Sequence, residues 1–167
     1  MPFDVARLVV QYVHVFAGIL WLGGGFYTLF VLLPSLGTVP PQARGPVMAA
    51  VVPRQLSYIL RLAEVTIVTG IANAFLTGKL AYLAEVPLWG IAIGVGGALT
   101  IFLYALIQTR VRPLMYDVLA LGRRAAQGDS AAAQEIPRQQ QAILRLGYVQ
   151  IVAGVLIVFF MVLARFT

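Results

Sequence analysis

The segment ILRLAEVTIVTGIANAFL at Ile59–Leu76 returns near the C-terminus as ILRLGYVQIVAGVLIVFF at Ile143–Phe160. The two copies share Ile, Leu, Arg, Leu, Val, Ile, Val, Gly and Phe at matching positions. Apolar matches arise easily by chance, but the alignment of Arg61 with Arg145 is harder to obtain that way. The match predicts a chain built from two copies of one helical hairpin, related by a two-fold axis along the membrane normal.

Composition agrees with a membrane protein. The chain has 167 residues, of which 60% are hydrophobic and 11% are charged, and its mean hydropathy is +0.90. One soluble core of this size could not bury so much apolar surface. A membrane-spanning helix needs about 20 apolar residues. The sequence therefore predicts an all-α fold, a single transmembrane domain (1–167) made as a four-helix bundle, with spans near 8–33, 56–77, 88–108 and 142–164.

The distribution of basic residues predicts the topology. Nine of the twelve lie in or beside the connections 34–55 and 109–141, and three lie at the other ends of the spans. Basic residues favour the cytoplasmic side, so both connections are expected inside and both termini outside. We expect an integral protein of a prokaryotic plasma membrane. The nine are Arg44, Arg54, Arg61, Arg110, Arg112, Arg123, Arg124, Arg138 and Arg145, and the three are Arg7, Lys79 and Arg165.

The two long connections differ in their predicted structure. Five prolines between Pro34 and Pro53 predict an irregular or briefly helical loop in the first. In the second, apolar residues on one face between Pro113 and Gly128 predict an amphipathic helix lying on the inner leaflet. Pro137 is suited to the first turn of the last helix, so that helix is expected to begin there.

One stripe along the first span carries the residues that could bind a ligand or take part in chemistry. His14, the only histidine, shares a helical face with Gly18, Trp21 and Gly25, and with Gln11 one turn earlier. Such a stripe should face the interior of the bundle, because lipid cannot pair its polar groups. One interpretation gives His14 an ordinary hydrogen bond and the other residues a packing role. The other makes His14 the axial ligand of a b-type haem lying between Gly18 and Trp21.

A second axial ligand would have to lie at a similar depth. Met161 in the fourth span satisfies that condition, although packing alone also explains a methionine there. A homodimer that places two His14 residues across one haem is the alternative. Asn73 would support the second ring nitrogen of His14, and a backbone carbonyl would serve equally well.

The stretch HVFAGILWLGGG, from His14 to Gly25, resembles the first helix of the CopD-type copper-resistance membrane proteins. The same spacing of His and Trp is similar to that in the HemJ-type protoporphyrinogen oxidases. The second span, with an early Arg and a later Thr-Gly, also resembles the CopD pattern. The resemblance covers the first half of the chain and implies a small helical membrane protein linked to copper or haem, with a ligand role for His14. The sequence departs from both families. Copper transport uses several soft or imidazole donors, whereas this chain has one histidine and no cysteine. The HemJ resemblance implies a functional lysine, whereas the only lysine, Lys79, is expected in an outer turn.

Other polar residues in the spans have a structural interpretation and a functional one. Arg61 and Glu64 are spaced to form an ion pair, which is the structural interpretation. The alternative is a proton or substrate site shared with Tyr27, Tyr104 and Gln150. The chain shows no phosphate-binding loop, no paired catalytic carboxylates and no catalytic triad, and its basic connections lack the aromatic pattern of nucleic-acid binders.

The sequence thus predicts a membrane haem protein for electron transfer or haem-linked redox chemistry, with His14 as the ligand. A CopD-like copper transport or tolerance protein is one alternative. A cofactor-free accessory subunit of a larger membrane complex is another. Whether the chain is an enzyme stays open, and the expected partners are the lipid bilayer and a second copy or a larger membrane complex, not nucleic acid.

Overall fold

The computed structural model describes residues 5–78, 80 and 87–166, and this part of the chain is almost entirely helical, with no strand. Helix α1 comprises Val5–Tyr27 and Leu33–Thr38, joined by a π-helical turn at Thr28–Leu32, and helix α2 is Pro41–Leu76. Helix α3 comprises Pro87–Leu106 and Arg112–Ala126, joined by a π-helical turn at Ile107–Val111, and helix α4 is Ser130–Leu163. All four are long and apolar enough to cross a membrane. The prediction of an all-α bundle of four long apolar helices is confirmed.

The helices form two hairpins that pack into one bundle. α1 contacts α2 most extensively and α3 contacts α4, while smaller contacts join α2 to α3 and α1 to α4. The centre of the bundle is a cluster of buried side chains from all four helices, with Trp21 of α1 at 2% exposure. Apolar residues also cover much of the outer surface, as expected where lipid replaces water.

The repeat extends further than the predicted match. A π-helical turn interrupts the first helix of each hairpin, and a proline follows two residues later, Pro34 in α1 and Pro113 in α3. The second helix of each hairpin holds an internal Pro-Arg-Gln, beginning at Pro53 in α2 and at Pro137 in α4. Periodicity of apolar residues does not reveal a π turn, which is why the sequence did not show the first feature.

The copies are not equivalent at their shared glycine. Gly70 of α2 lies against His14 of α1, whereas Gly154 of α4 lies against Leu22, which is also in α1. A strict two-fold axis would place Gly154 against α3. The repeated glycine therefore serves a contact within a hairpin in one copy and a contact between hairpins in the other.

The prediction of an irregular first connection was wrong. The helix runs on to Thr38, breaks only at Val39 and Pro40, and resumes as α2. Pro46 and Pro53 lie inside α2. A proline removes one backbone hydrogen bond, but burial of neighbouring side chains such as Val52 holds the helix together.

The last helix does not begin at Pro137. It begins at Ser130, because the Asp129 carboxylate accepts a hydrogen bond from the Ala132 amide at 3.0 Å and caps the helix. That bond, together with the Arg124 guanidinium at 2.6 Å, lowers the pKa of Asp129. Gly128, with φ of 94°, makes the turn before it.

The amphipathic helix exists but does not lie on a leaflet. Arg112–Ala126 continues α3 directly through the π turn, and its buried residues Met115 and Val118 pack with Leu56 of α2 and Ile143 of α4. A helix whose apolar face is already covered cannot also bury that face in lipid. Each long helix has 34 to 39 residues, which is more than one membrane span needs. The helices therefore extend past the apolar zone at the arginine-rich end of the bundle, which is the end that holds the α1–α2 and α3–α4 turns.

Candidate functional site

The His14 imidazole rests on the backbone of α2. Its Nδ1 lies 2.8 Å from the carbonyl oxygen of Thr66. A carbonyl oxygen only accepts, so in this contact Nδ1 carries the proton and donates it. Nε2 of the ring forms no hydrogen bond with any other described residue. His14 is half-buried, so this nitrogen lies within reach of a ligand.

Gly70 makes this contact sterically allowed. A Cβ atom at position 70 would lie 2.8 Å from Cε1 and 3.1 Å from Nδ1 of His14. Any side chain there would push the ring away from α2. The sequence marked Gly70 as part of the repeat and of the Thr-Gly pair in the second span, but not as a contact of His14, because a hydrogen bond to a backbone carbonyl leaves no side-chain pattern to detect.

Gln11 and Asn73 form a second polar pair, one helical turn from His14 toward the end of the bundle that holds the N-terminus. The Asn73 amide nitrogen donates to the Gln11 side-chain oxygen. The Asn73 side-chain oxygen is buried and has no partner among the described residues. Asn73 is therefore paired with Gln11, and the Thr66 carbonyl takes the supporting role that either group could have filled.

The other residues predicted to hold the haem do not gather around His14. Trp21 belongs to the central core, and a Cβ at Gly18 would contact Thr66 at 3.6 Å. Met161 packs between α3 and α4, where its Cε would lie 2.7 Å from a Cβ at Gly96. Gly25 lines a cavity that His14 does not reach. Thr66 of α2 lies against Gly18, on the side of α1 where the haem was predicted.

That cavity has a volume of about 70 Å³ and lies on the far side of Trp21 from His14. An apolar cavity of roughly 150 Å³ accommodates benzene, so this cavity is too small for a porphyrin. The geometry of His14 does fit one axial ligand, because a ligating imidazole commonly donates its other N–H to a carbonyl. Haem ligation inside the chain by His14 and Met161 is thus disfavoured, and ligation at the edge of the α1–α2 pair is compatible with the donor present.

The ion pair expected in the second span belongs to a longer polar chain. Arg61 contacts Glu64 at 3.1 Å, with side-chain exposures of 80% and 38%. Tyr104 of α3 donates to Glu64 at 3.2 Å, and Gln108 donates to the Tyr104 oxygen at 3.0 Å. Arg112 donates to Gln108 at 3.0 Å. A series of hydrogen bonds therefore links two arginines along the α2–α3 groove.

The larger cluster proposed around Glu64 does not form. Tyr104 reaches the carboxylate, but Tyr27 is exposed on α1 and Gln150 lines the cavity instead. Among the described residues, no group of three His, Cys, Asp or Glu side chains is placed to hold a metal ion. Lys79 lies outside the described residues.

Comparison with protein-family models, with characterised proteins and with solved structures gives no significant match. The CopD and HemJ resemblance therefore rests on the residues of the first two helices alone.

Proposed function

We propose that the chain is an integral membrane protein that binds a b-type haem at the edge of the α1–α2 pair, with Nε2 of His14 as an axial ligand. The observation that supports this proposal is the hydrogen bond from Nδ1 of His14 to the Thr66 carbonyl. It orients the ring and commits Nδ1 to the carbonyl, so Nε2 is the nitrogen left for a metal.

Each neighbour of His14 has a part in this proposal. The Thr66 carbonyl accepts from Nδ1 and fixes the orientation of the ring. Gly70 gives the ring room against α2. A bound haem supplies one-electron chemistry, and the apolar surface of the helices limits the access of water to it. The cavity of about 70 Å³ is too small for a porphyrin, so a haem would lie at the helix edge, where His14 of a second copy could supply a further ligand.

Copper transport receives less support. A copper pathway needs several thiolate, thioether or imidazole donors in succession. The chain has no cysteine and one histidine, and its methionines are scattered. A single imidazole can bind one copper ion, but it does not make a pathway.

The test is an absorption spectrum of the detergent-purified protein with haem and metal analysis. We expect a Soret band in the wild type, its loss in His14→Gly, and its recovery when imidazole is added to that variant. Imidazole restores a missing ligand but not a missing helix contact, so recovery separates the two roles. Val15→Ala, an exposed neighbour, serves as the control and should keep the band.

Three outcomes would count against the proposal. A colourless wild type without metal favours the cofactor-free accessory subunit. A colourless wild type with stoichiometric copper favours the copper protein. A full Soret band in His14→Gly without imidazole would show that another residue is the ligand.

A further inference from the structure

The cavity in the arginine-rich half of the bundle has polar side chains that the haem proposal does not use. Its volume is about 70 Å³, and all four helices contribute to its wall. Most of the wall is aliphatic, but Thr28, Gln55 and Gln150 add a hydroxyl and two amides. No Asp, Glu, Lys, Arg or His lines it.

The polar groups are only partly satisfied. Gln55 donates to the Thr28 hydroxyl, which in turn donates to the Gly24 carbonyl at 2.6 Å. One N–H and the carbonyl oxygen of the Gln55 amide remain available. The Gln150 amide forms no hydrogen bond with any residue that the structure describes. Partly buried amides of this kind favour a partner that can both donate and accept.

Both π-helical turns border the same cavity. Thr28 and Leu29 come from the turn in α1, and Ile107 and Val111 come from the turn in α3. A π turn weakens regular helix hydrogen bonding and is frequently found at functional sites. Two such turns meeting at one cavity are a second indication, independent of the amides, that this region binds something.

Gly25 keeps the cavity open. A Cβ at position 25 would meet nothing within 4 Å, and the residue lines the cavity wall. A larger side chain at this position would grow into the empty space. Gly23, two residues earlier, also has nothing within 4 Å but does not line the cavity, so it provides a matched control.

We propose that this cavity binds a small, neutral, hydrogen-bonding solute, such as a primary amide of about four heavy atoms, between the Gln55 and Gln150 amides. The size follows from the volume, which is about half that of a cavity that holds benzene. Neutrality follows from the uncharged wall, because an ion would lose its hydration there without gaining a counter-charge. The site is separate from His14 and does not depend on haem.

The test uses acetamide and its charged analogue acetate as probes. The two tryptophans are replaced biosynthetically with 5-fluorotryptophan, and ¹⁹F NMR of the detergent-purified full chain is recorded during titration. Trp21 lines the cavity and Trp89 does not, so Trp89 is an internal reference. Trp21→Phe assigns the two resonances. We expect acetamide to shift the Trp21 resonance saturably, and acetate at equal concentration to leave it unchanged.

Variants connect the shift to the cavity. Gly25→Leu should abolish it and Gly23→Leu should preserve it. Gln150→Leu should weaken acetamide binding about tenfold, which corresponds to one lost hydrogen bond. The proposal is overturned if the wild type gives no saturable shift, if Gly25→Leu responds like the wild type, or if acetate acts like acetamide.

Discussion

At the scale of single residues, the sequence predicted that His14 faces the bundle and needs a partner. The structure supplies that partner as the Thr66 carbonyl. Which carbonyl it is, and why position 70 is glycine, depends on how closely α1 and α2 approach. Trp21 and Gly25 share the His14 face of α1 but lie about two and three turns further along it. Met161 packs against Gly96 instead, because the sequence assigns depth and helix face but not the rotation of one helix against the next.

Gly70→Ala should destabilise the protein by about 1–3 kcal/mol, because the added methyl group overlaps the His14 ring. Gly94→Ala is the matched control, since a Cβ at that position meets nothing within 4 Å. The control should be neutral or slightly stabilising through helix propensity. Thermal unfolding in detergent measures both variants.

A double variant completes this test. Combined with His14→Ala, Gly70→Ala should cost much less than it does alone, because the clash is gone. Equal losses for Gly70→Ala in the two backgrounds would show that the ring and the glycine do not interact.

At the scale of helices, the sequence predicted four long apolar helices correctly, but it predicted loops and a surface helix where the structure extends those helices. Prolines such as Pro46 and Pro137 predict breaks when only local preference is considered. Here the contacts of the arginine-rich end, built around residues such as Leu56 and Met115, outweigh the lost backbone hydrogen bonds. The local sequence around a proline does not reveal such compensation, because the compensating contacts join side chains far apart in the sequence.

Val118→Asp should disrupt the arginine-rich end, because a carboxylate would be buried among apolar residues from α2 and α4. The expected loss is several kcal/mol. Tyr116→Asp places the same charge two residues away on the exposed face and should change stability little. Limited proteolysis of the segment Arg112–Ala126 is the measurement.

If Arg112–Ala126 were instead a helix bound only to a leaflet, Val118→Asp would leave α2 and α4 protected. Cleavage confined to that segment, with unchanged thermal unfolding, would contradict the packing described above.

At the scale of the whole molecule, the bundle of two hairpins followed from the repeat and from composition. The predicted orientation of the bundle in the membrane depends on the nine basic residues near one end and the three near the other. Apolar patterns determine where a chain crosses, and loop charges determine which way it faces, so the fold alone does not test the orientation.

Single cysteines test that orientation in a chain that has none. Ser130→Cys, in the α3–α4 turn, should react with a membrane-impermeant maleimide only after cells are opened. Phe166→Cys, near the C-terminus, should react in intact cells. Both positions are exposed, so a difference in labelling reports the side of the membrane. Labelling of Ser130→Cys in intact cells would reverse the orientation.

The paired π turns also bear on how the protein arose. Each turn adds one residue to an otherwise regular helix, and each stands at the same distance before a proline, Pro34 or Pro113. Two independent insertions at matching positions are a less economical history than one insertion in an ancestral hairpin that was later duplicated and fused. The hairpins then diverged, because His14 and Trp21 have no counterpart in α3. On this history the π turns are older than the fusion of the two hairpins, whereas the histidine belongs to one half alone.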